Sequence, residues 1–358
     1  MAAVNASYKP GDKCPTCNRV ACNCVRCERC RVRVPGKDIC AKCFTCRAHH
    51  NGFYPKDFPH RPCEFTEDRA AVTRIINPLP RRLGVEIELG SFGAITRYNT
   101  GNKHIHWSLV HDGSVAESGQ ELVTQPMDGD NYIYGMAALI RDLLVGGAKA
   151  NSSCGYHVHV DAAELTPLDL RRVLVAFYLV QKSLYGTLVA KSRQGDWGQQ
   201  YCAMLKCDPA ELMAMQDKAE FVDWLHQWLY GVNMPDRVGM NDEEYKTILR
   251  RIDTQLKQYK NTKYVNRARR WALNFHSWMM RGTLEFRLKE GTTDPKDLLL
   301  WPLWCGWFVQ RFGQANDKEI HYWLKKGTLT VGECSEFMAT GPGAMPDYIL
   351  GWVKEKCQ

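Results

Sequence analysis

The chain has 358 residues, of which 45% are hydrophobic and 24% charged, so it can bury a large core and is unlike a disordered chain. Its most apolar run, residues 298–309, falls short of the ~20 residues that a membrane span needs, and no apolar leader opens the N-terminus. We therefore expect a cytoplasmic protein without a membrane partner.

The formal net charge of +8 is unevenly distributed along the chain. Residues 1–82 carry 16 Lys and Arg against 7 Asp and Glu, a formal charge of +9, and the remaining residues carry −1. Nine of the sixteen cysteines also lie early, between Cys14 and Cys46. These shifts predict a Cys-rich module at residues 1–50 and a proline- and aromatic-rich linker at residues 51–82.

The cysteine spacing predicts metal binding by thiolates, because the repeated C-x-x-C steps occur without a secretory leader. Two residues between cysteines let both sulfurs bind one tetrahedral zinc ion, and two such pairs complete a structural site. Nearby histidines favour zinc over an iron–sulfur cluster. We expect two structural zinc ions, and the spacing does not divide the ligands between them. The candidate ligands are Cys14, Cys17, Cys22, Cys24, Cys27, Cys30, Cys40, Cys43, Cys46 and His49.

The function of this module stays open at the level of sequence. Arginines and lysines interleave with its cysteines, as in surfaces that contact nucleic acid or acidic proteins. Two four-cysteine zinc sites of about −2 each would reduce the +9 of residues 1–82 to about +5. Nucleic-acid contact, docking of a protein or substrate, and a purely structural appendage are the three alternatives.

The first two of four strand-like segments place acidic residues on one face. In residues 83–89 the alternation sets Glu86 and Glu88 side by side, about 7 Å apart along a strand. In residues 117–126 it sets Glu121 opposite Leu122. Taken singly, these acids could belong to a solvated strand face.

The other two segments place histidines and an arginine in the same way. In residues 154–161, His157 and His159 share a face, and in residues 282–289, Glu285 and Arg287 share one. The alternatives without a ligand are core histidines with hydrogen-bond partners in the protein and an ion pair on the surface. The recurrence of one apolar and one polar face in four segments favours a common site.

Acids, histidines and an arginine on one sheet suit Mg²⁺ and a triphosphate. Carboxylates bind hard cations, which bridge phosphate oxygens, and guanidinium offers a planar fork to phosphate. The sequence has no G-x-x-x-x-G-K-[ST] loop and no convincing G-x-G-x-x-G turn, so a sheet must supply any nucleotide site.

The ordered set of these segments resembles the successive motifs of the amidoligases, the ATP-dependent carboxylate–amine ligases related to glutamine synthetase and glutamate–cysteine ligase. The similar stretches are residues 84–89, 112–114 with 119–123, 154–160, and Asn274 with residues 282–287 and 291–292. The cysteine module is not part of this family pattern.

The resemblance implies an α+β fold in which a curved antiparallel sheet, a glutamine synthetase-like half-barrel, is flanked by helices and holds ATP with two or three Mg²⁺ ions. It implies that His159 faces the carboxylate substrate, that Arg287 stabilises the transferring phosphoryl group, and that Arg281 assists. It further implies that His157, Arg193 and Arg287 contact ATP. The implied Mg²⁺ ligands are Glu86, Glu88, Glu121, His157 and Glu285.

We accordingly expect a catalytic domain at residues 83–313 and a helical extension at residues 314–358. The expected reaction forms an amide or isopeptide bond through an acyl phosphate, and one substrate could be a protein, peptide or modified nucleic acid. The alternative function is a non-catalytic, zinc-dependent nucleic-acid or protein adaptor on a ligase-like scaffold, and a metal-dependent hydrolase is a third.

Helical patterns complete the prediction. Thr166 and the following proline predict a capped helix that continues through residues 170–189. Trp301, Trp304 and Trp307 predict a helix packed on the sheet. Residues 241–258 have a mixed-charge helical pattern, whose basic residues suit either a solvated face or a groove for an acidic substrate.

Overall fold

The computed structural model describes residues 25–26, 33–34, 77–93, 107–112, 120–195, 202–230, 268–341 and 343–358. The predicted zinc ligands, most of the predicted linker and the predicted helix at residues 241–258 lie outside these ranges. Near the N-terminus, strand β1 (Val25–Arg26) pairs antiparallel with β2 (Arg33–Val34).

The main sheet of the described residues has six strands in the order β4-β5-β3-β6-β8-β7. Every neighbouring pair in it is antiparallel. The predicted antiparallel sheet flanked by helices is therefore confirmed. The strands are β3 (Leu83–Glu88), β4 (Trp107–His111), β5 (Gln120–Thr124), β6 (Gly155–Asp161), β7 (Leu273–Asn274) and β8 (Thr283–Glu290).

One face of the sheet forms the hydrophobic core, as the alternation predicts. Val85 and Ile87 of β3, Tyr156 and Val158 of β6, and Phe286 of β8 are all buried. Each such side chain contributes about 1.5–3 kcal/mol through the area it removes from water. This burial fixes the strand register, because a slip by one residue would expose the whole apolar set.

Helices cover this apolar face. The long helix α6 (Pro295–Gly313) contacts β3 and β6, and α1 (Gly129–Gly146) and α2 (Pro167–Thr187) contact α6 in turn. Trp301, Trp304 and Trp307 of α6 are buried, which confirms their predicted packing role. The helices are α1 (Gly129–Gly146), α2 (Pro167–Thr187), α3 (Pro209–Ala214), α4 (Lys218–Tyr230), α5 (His276–Arg281), α6 (Pro295–Gly313), α7 (Asp317–Lys326), α8 (Val331–Met338) and α9 (Asp347–Lys356).

Helix α2 begins as the sequence predicts. The Thr166 side chain accepts a hydrogen bond from the backbone of Asp169, whose carboxylate accepts one from the backbone of Thr166. The helix ends at Thr187, two residues before the predicted end, and a 3₁₀ turn at Lys191–Arg193 follows.

A β-bulge interrupts the pairing of β6 with β8. Val158 pairs with Phe286, but Tyr156 pairs with Lys289, so two residues of β8 oppose His157. Strict alternation would place Lys289 beside Arg287. The extra residue instead turns Lys289 towards the helices, where it is buried.

None of the helices within the described ranges combines the length and the apolar character needed to cross a membrane.

Candidate functional site

Strand pairing brings the predicted polar residues together on the other face of the sheet. In the observed register Glu88 lies opposite Glu121, Glu86 opposite His157, and His159 opposite Glu285. Directly opposed residues have Cβ atoms about 5 Å apart, so these side chains meet across three strand boundaries.

Three overlapping groups of side chains offer ligand atoms that lie within 4.8 Å of one another. Glu86 belongs to two of the groups and Glu121 to two. The groups are Glu86, His159 and Glu285; Glu86, Glu121 and His157; and Glu88, Asp112 and Glu121.

Glu86 is the centre of this arrangement. Its Oε2 lies 3.4 Å from Nδ1 of His157, and its Oε1 lies 3.2 Å from Nε2 of His159. Burial alone would raise the pKa of Glu86, but hydrogen bonds and charge from the two histidines hold that pKa well below its usual range. Glu86 is therefore ionised in the site.

Neighbouring side chains balance the negative charge of Glu285. Burial opposes its ionisation, yet the adjacent Arg287 guanidinium, which donates a hydrogen bond to it, and the two histidines lower the pKa of Glu285. Asn274 of β7 donates to Glu285 Oε2 at 2.6 Å. These partners fix both carboxylate oxygens, and Glu285 in turn raises the pKa of Arg287 against the effect of burial.

The two histidines differ in their surroundings. His157 Nε2 lies 3.7 Å from Glu88 Oε1, and its Nδ1 lies 3.5 Å from Arg287 Nη1. His159 Nδ1 lies 3.1 Å from Thr283 Oγ1 and 3.3 Å from Ser277 Oγ.

The electrostatics of His159 favour its protonated form. Burial lowers the pKa of His159, but Glu86 and Glu285 outweigh burial and raise it. Arg281, at the exposed end of α5, lies close enough for its charge to oppose this rise. Arg281 thus belongs to the electrostatic surroundings of the site.

The described residues compensate the charge of Glu121 only in part. Burial and the charges of Glu86, Asp112 and Glu88 raise its pKa to about 8, while Arg287 opposes this only in part. The β5 end of the site therefore holds more negative charge than the described residues balance.

Arg193 enters the site from the 3₁₀ turn after α2. Its side chain is buried, Nη2 donates to the backbone oxygen of Arg287 at 3.2 Å, and Nε has no partner among the described residues. A Cβ atom at Gly155 would come within 2.7 Å of His157 Nε2 and 3.1 Å of Arg193 Nη2. Gly155 therefore leaves the space in which these two side chains converge, and its N–H donates to Glu88 at 2.6 Å.

A family model described as "Putative amidoligase enzyme" matches residues 95–309, more than half of the chain. The chain belongs to the amidoligase family. No curated protein matches it.

The amidoligase match does not include every residue of the site. It starts after β3, so Glu86 and Glu88 lie outside the matched range although β3 is a central strand of the sheet. The pairing of β3 with β5 and β6 brings both acids to the matched part.

The structure adds residues to this amidoligase site to which the sequence alone assigned no role. Asp112 joins Glu88 and Glu121, and Asn274 holds Glu285. Both residues lie in the motifs that carry the resemblance, which was the available signal. Thr283, which contacts His159, lies in such a motif too, whereas Ser277, which also contacts His159, had no such signal because serine is common in turns.

Proposed function

We propose that this amidoligase is an ATP-dependent carboxylate–amine ligase that forms an amide or isopeptide bond through an acyl phosphate. Family membership supports the reaction class. The observation that carries the proposal is the set of three overlapping ligand groups beside Arg287 and Arg193. Placement in the glutamine synthetase superfamily, with a half-barrel fold, belongs to the same proposal.

The donor set fits Mg²⁺, because hard carboxylate oxygens predominate in it. The raised pKa of Glu121 also fits, since a bound cation would balance the charge that this end of the site leaves uncompensated. When bound, Mg²⁺ supplies positive charge for the phosphates of ATP. The residues that would hold it are Glu86, Glu88, Asp112, Glu121, His157 and Glu285.

The two arginines have different electrostatic settings. Arg287 is paired with Glu285, so its guanidinium is held in one orientation. No carboxylate lies within 4.0 Å of Arg193 for an ion pair in the part of the chain that the structure describes, although Arg193 is buried. A buried guanidinium without a counterion favours an anionic ligand, so we assign Arg193 a phosphate of ATP.

The proposed reaction has two steps. An oxygen of the carboxylate substrate attacks the γ-phosphorus of ATP, and the bond to ADP breaks. The amine nitrogen then attacks the acyl carbon, phosphate leaves with the electron pair of its bond, and the nitrogen loses a proton. In this scheme Arg287, assisted by Arg281, stabilises charge on the transferring phosphoryl group, and His159 faces the carboxylate substrate.

The test is Mg²⁺-dependent conversion of ATP to ADP, supplied with mixed amino acids and polyamines. Wild type should turn over ATP, whereas Glu86→Ala, Glu285→Ala and Arg287→Ala should not. Glu355→Ala, which removes only an exposed pair with Lys296, is the matched control.

The outcomes separate the candidate functions. Turnover that needs both a carboxylate and an amine supports a ligase, and the component that raises the rate identifies the substrate class. ADP release that needs neither would indicate a hydrolase. If wild type neither binds nor hydrolyses ATP, the ligase proposal is wrong and a non-catalytic adaptor replaces it.

We also propose that the Cys-rich module binds two zinc ions and docks the substrate or a partner. Its support is the C-x-x-C spacing and the interleaved basic residues. The measurement is the zinc content of purified protein, with Cys27→Ser and Cys154→Ser compared. Cys154 is a buried cysteine of the sheet domain, so only Cys27→Ser should lower the zinc content.

A further inference from the structure

The segment at residues 188–193 determines where Arg193 lies. Helix α2 ends at Thr187, and the 3₁₀ turn Lys191–Arg193 then delivers Arg193 to the site. The side chain of Gln194 donates to the backbone oxygens of Tyr185 and Val189 at 2.6 and 2.8 Å. Gln194 thus holds the segment against the end of helix α2. The position of the segment against the sheet depends on other residues.

Two consecutive residues at the end of β8 fasten this segment to the sheet. Lys289 Nζ donates to the backbone oxygen of Leu188 at 2.7 Å, and Glu290 Oε2 accepts from the backbone N–H of Ala190 at 2.8 Å. Lys289 also donates to Glu290. Since β8 carries Arg287 as well, these contacts set Arg193 relative to Arg287.

The same lysine connects to the C-terminal helix. Lys289 Nζ lies 3.1 Å from Asp297 Oδ2, and Lys356 Nζ lies 2.7 Å from Asp297 Oδ1, which also accepts from Trp352 Nε1 at 3.1 Å. Helix α9, which supplies Trp352 and Lys356, lies beyond the matched family range that ends at residue 309. We call Lys289, Glu290, Asp297 and Lys356 the brace.

The chemistry of the brace favours a positioning role. A lysine that is 3% exposed costs free energy to bury unless its charge is paired, and an apolar side chain would fill the same space without that cost. Here the ammonium meets two carboxylates and a backbone oxygen of the Arg193 segment. Directional hydrogen bonds fix a segment in one place, which apolar packing does less well.

We infer that the brace positions Arg193 in the site, with Lys289 and Glu290 as its positioning residues and with helix α9 as its outer support. The kinetic consequence of this inference rests on the proposed function, whereas the structural consequence does not.

The structural consequence is tested by labelling the full chain with phenylglyoxal, an arginine-selective reagent, without ATP. Peptide mass spectrometry follows the modification of Arg193. Glu290→Ala should speed labelling of Arg193 about tenfold, because one charged hydrogen bond to the segment is lost. Glu290→Gln, which keeps an acceptor for Ala190, should stay within about threefold of wild type.

The outer support is tested in the same assay with two adjacent residues of α9. Lys356→Ala removes a brace contact to Asp297, and Glu355→Ala removes the exposed pair to Lys296, so both variants loosen α9 from α6. Labelling of Arg193 should rise about threefold in Lys356→Ala and should not change in Glu355→Ala. Lys356→Ala also keeps the test decisive if Glu290→Ala does not fold.

The kinetic consequence is tested by a double-mutant cycle. Arg193→Ala and Glu290→Ala should each raise the KM for ATP more than they lower kcat, and the double variant should resemble Arg193→Ala alone. A merely structural role for Glu290 would add its effect to that of Arg193→Ala.

Each failure has its own signature. If wild type turns over no ATP, the proposed function is wrong, and the labelling assay still judges the brace. If wild type turns over ATP but labelling of Arg193 stays slow in Glu290→Ala and Lys356→Ala, or if the cycle is additive, the brace inference is wrong.

Discussion

Two glutamates on one face of the same sheet behave oppositely. Glu285 on β8 has a lowered pKa because Arg287 and two histidines surround it, and Asn274 fixes its second oxygen. Glu121 on β5 has a pKa raised to about 8, because its carboxyl group is partly buried and the negative charges of three other acids lie nearby. Within the described ranges, side chains balance the charge at the β8 end of the site and leave it unbalanced at the β5 end.

This contrast separates two tasks in one site. At the β8 end, neighbouring side chains already balance the charge of Glu285 without a ligand. This end is therefore suited to hold Arg287 in a fixed orientation. The β5 end gains stability from an added cation. A ligase that binds a metal nucleotide needs both, because an anionic substrate must meet positive charge whose position is already fixed.

The largest expected effect lies at Glu86, which belongs to ligand groups at both ends. Glu86→Gln keeps the size of the side chain but removes the charge that both histidines contact. Turnover of ATP should fall at least about 100-fold, and binding of Mn²⁺ as a paramagnetic probe should weaken in electron paramagnetic resonance titrations. Glu355→Gln serves as the control, and near-normal turnover by Glu86→Gln would contradict a shared ligand.

Removing the acid of the balanced end should destabilise the protein. Glu285→Gln leaves the largely buried Arg287 without its ion-pair partner, so the free energy of unfolding should fall by about 2–3 kcal/mol. Urea denaturation in the presence of EDTA measures this. A loss below about 0.5 kcal/mol would show that Arg287 does not depend on Glu285.

Removing the acid of the unbalanced end should do the reverse in metal-free protein. The folded pKa of Glu121, about 8, lies above the ordinary value of 4.5, so the folded state binds more protons between these pH values. The free energy of unfolding therefore falls as pH rises from 4.5 towards 8, by at most about 1.4 kcal/mol per pH unit.

Over the interval from 4.5 to about 8 the full linkage would amount to about 5 kcal/mol, and solvent screening of the partly exposed Glu121 reduces it. Glu121→Gln should therefore remove this pH dependence and raise the free energy of unfolding at pH 8 by about 1–3 kcal/mol. Urea denaturation of wild type and variant from pH 5.5 to 8 in EDTA gives the comparison. Equal slopes in the two proteins would refute the raised pKa. The stabilised variant should bind Mn²⁺ less tightly, as expected where function costs stability.

The smallest expected effect concerns the hydroxyl groups behind His159. Thr283→Val removes the partner 3.1 Å from Nδ1 but leaves Ser277, so turnover should fall only about threefold. Thr340→Val, which removes an exposed hydroxyl at the end of α8, is the control. A loss as large as that of Glu86→Gln would mean that Thr283 contacts the reacting groups directly.

The face of each site residue could be predicted from sequence, because a buried apolar face imposes alternation on its strand. Glu86, Glu121, His157 and Glu285 all lie on the predicted face. Their neighbours could not be predicted, because strand order depends on contacts between residues far apart in the chain. The pairing of His159 with Glu285, for example, joins segments 126 residues apart.

Residues outside regular alternation were the hardest to predict. Asp112 follows the end of β4, and its place beside Glu121 depends on the pairing of β4 with β5. The brace depends on the bulge in β8 and on the docking of α9, and neither leaves a periodic signal. The predicted zinc ligands lie outside the described residues, so that part of the prediction stays a prediction.

The bulge opposite His157 also bears on how β8 can vary. Before it, the strand turns Glu285 to the site, and after it the strand turns Lys289 to the helices. Deleting Leu288 would restore regular pairing with Lys289 still opposite Tyr156, so Lys289 would keep facing the helices. Away from the bulge, a change of length in β8 would exchange the faces of all residues beyond it, so those positions should accept substitutions more readily than insertions or deletions.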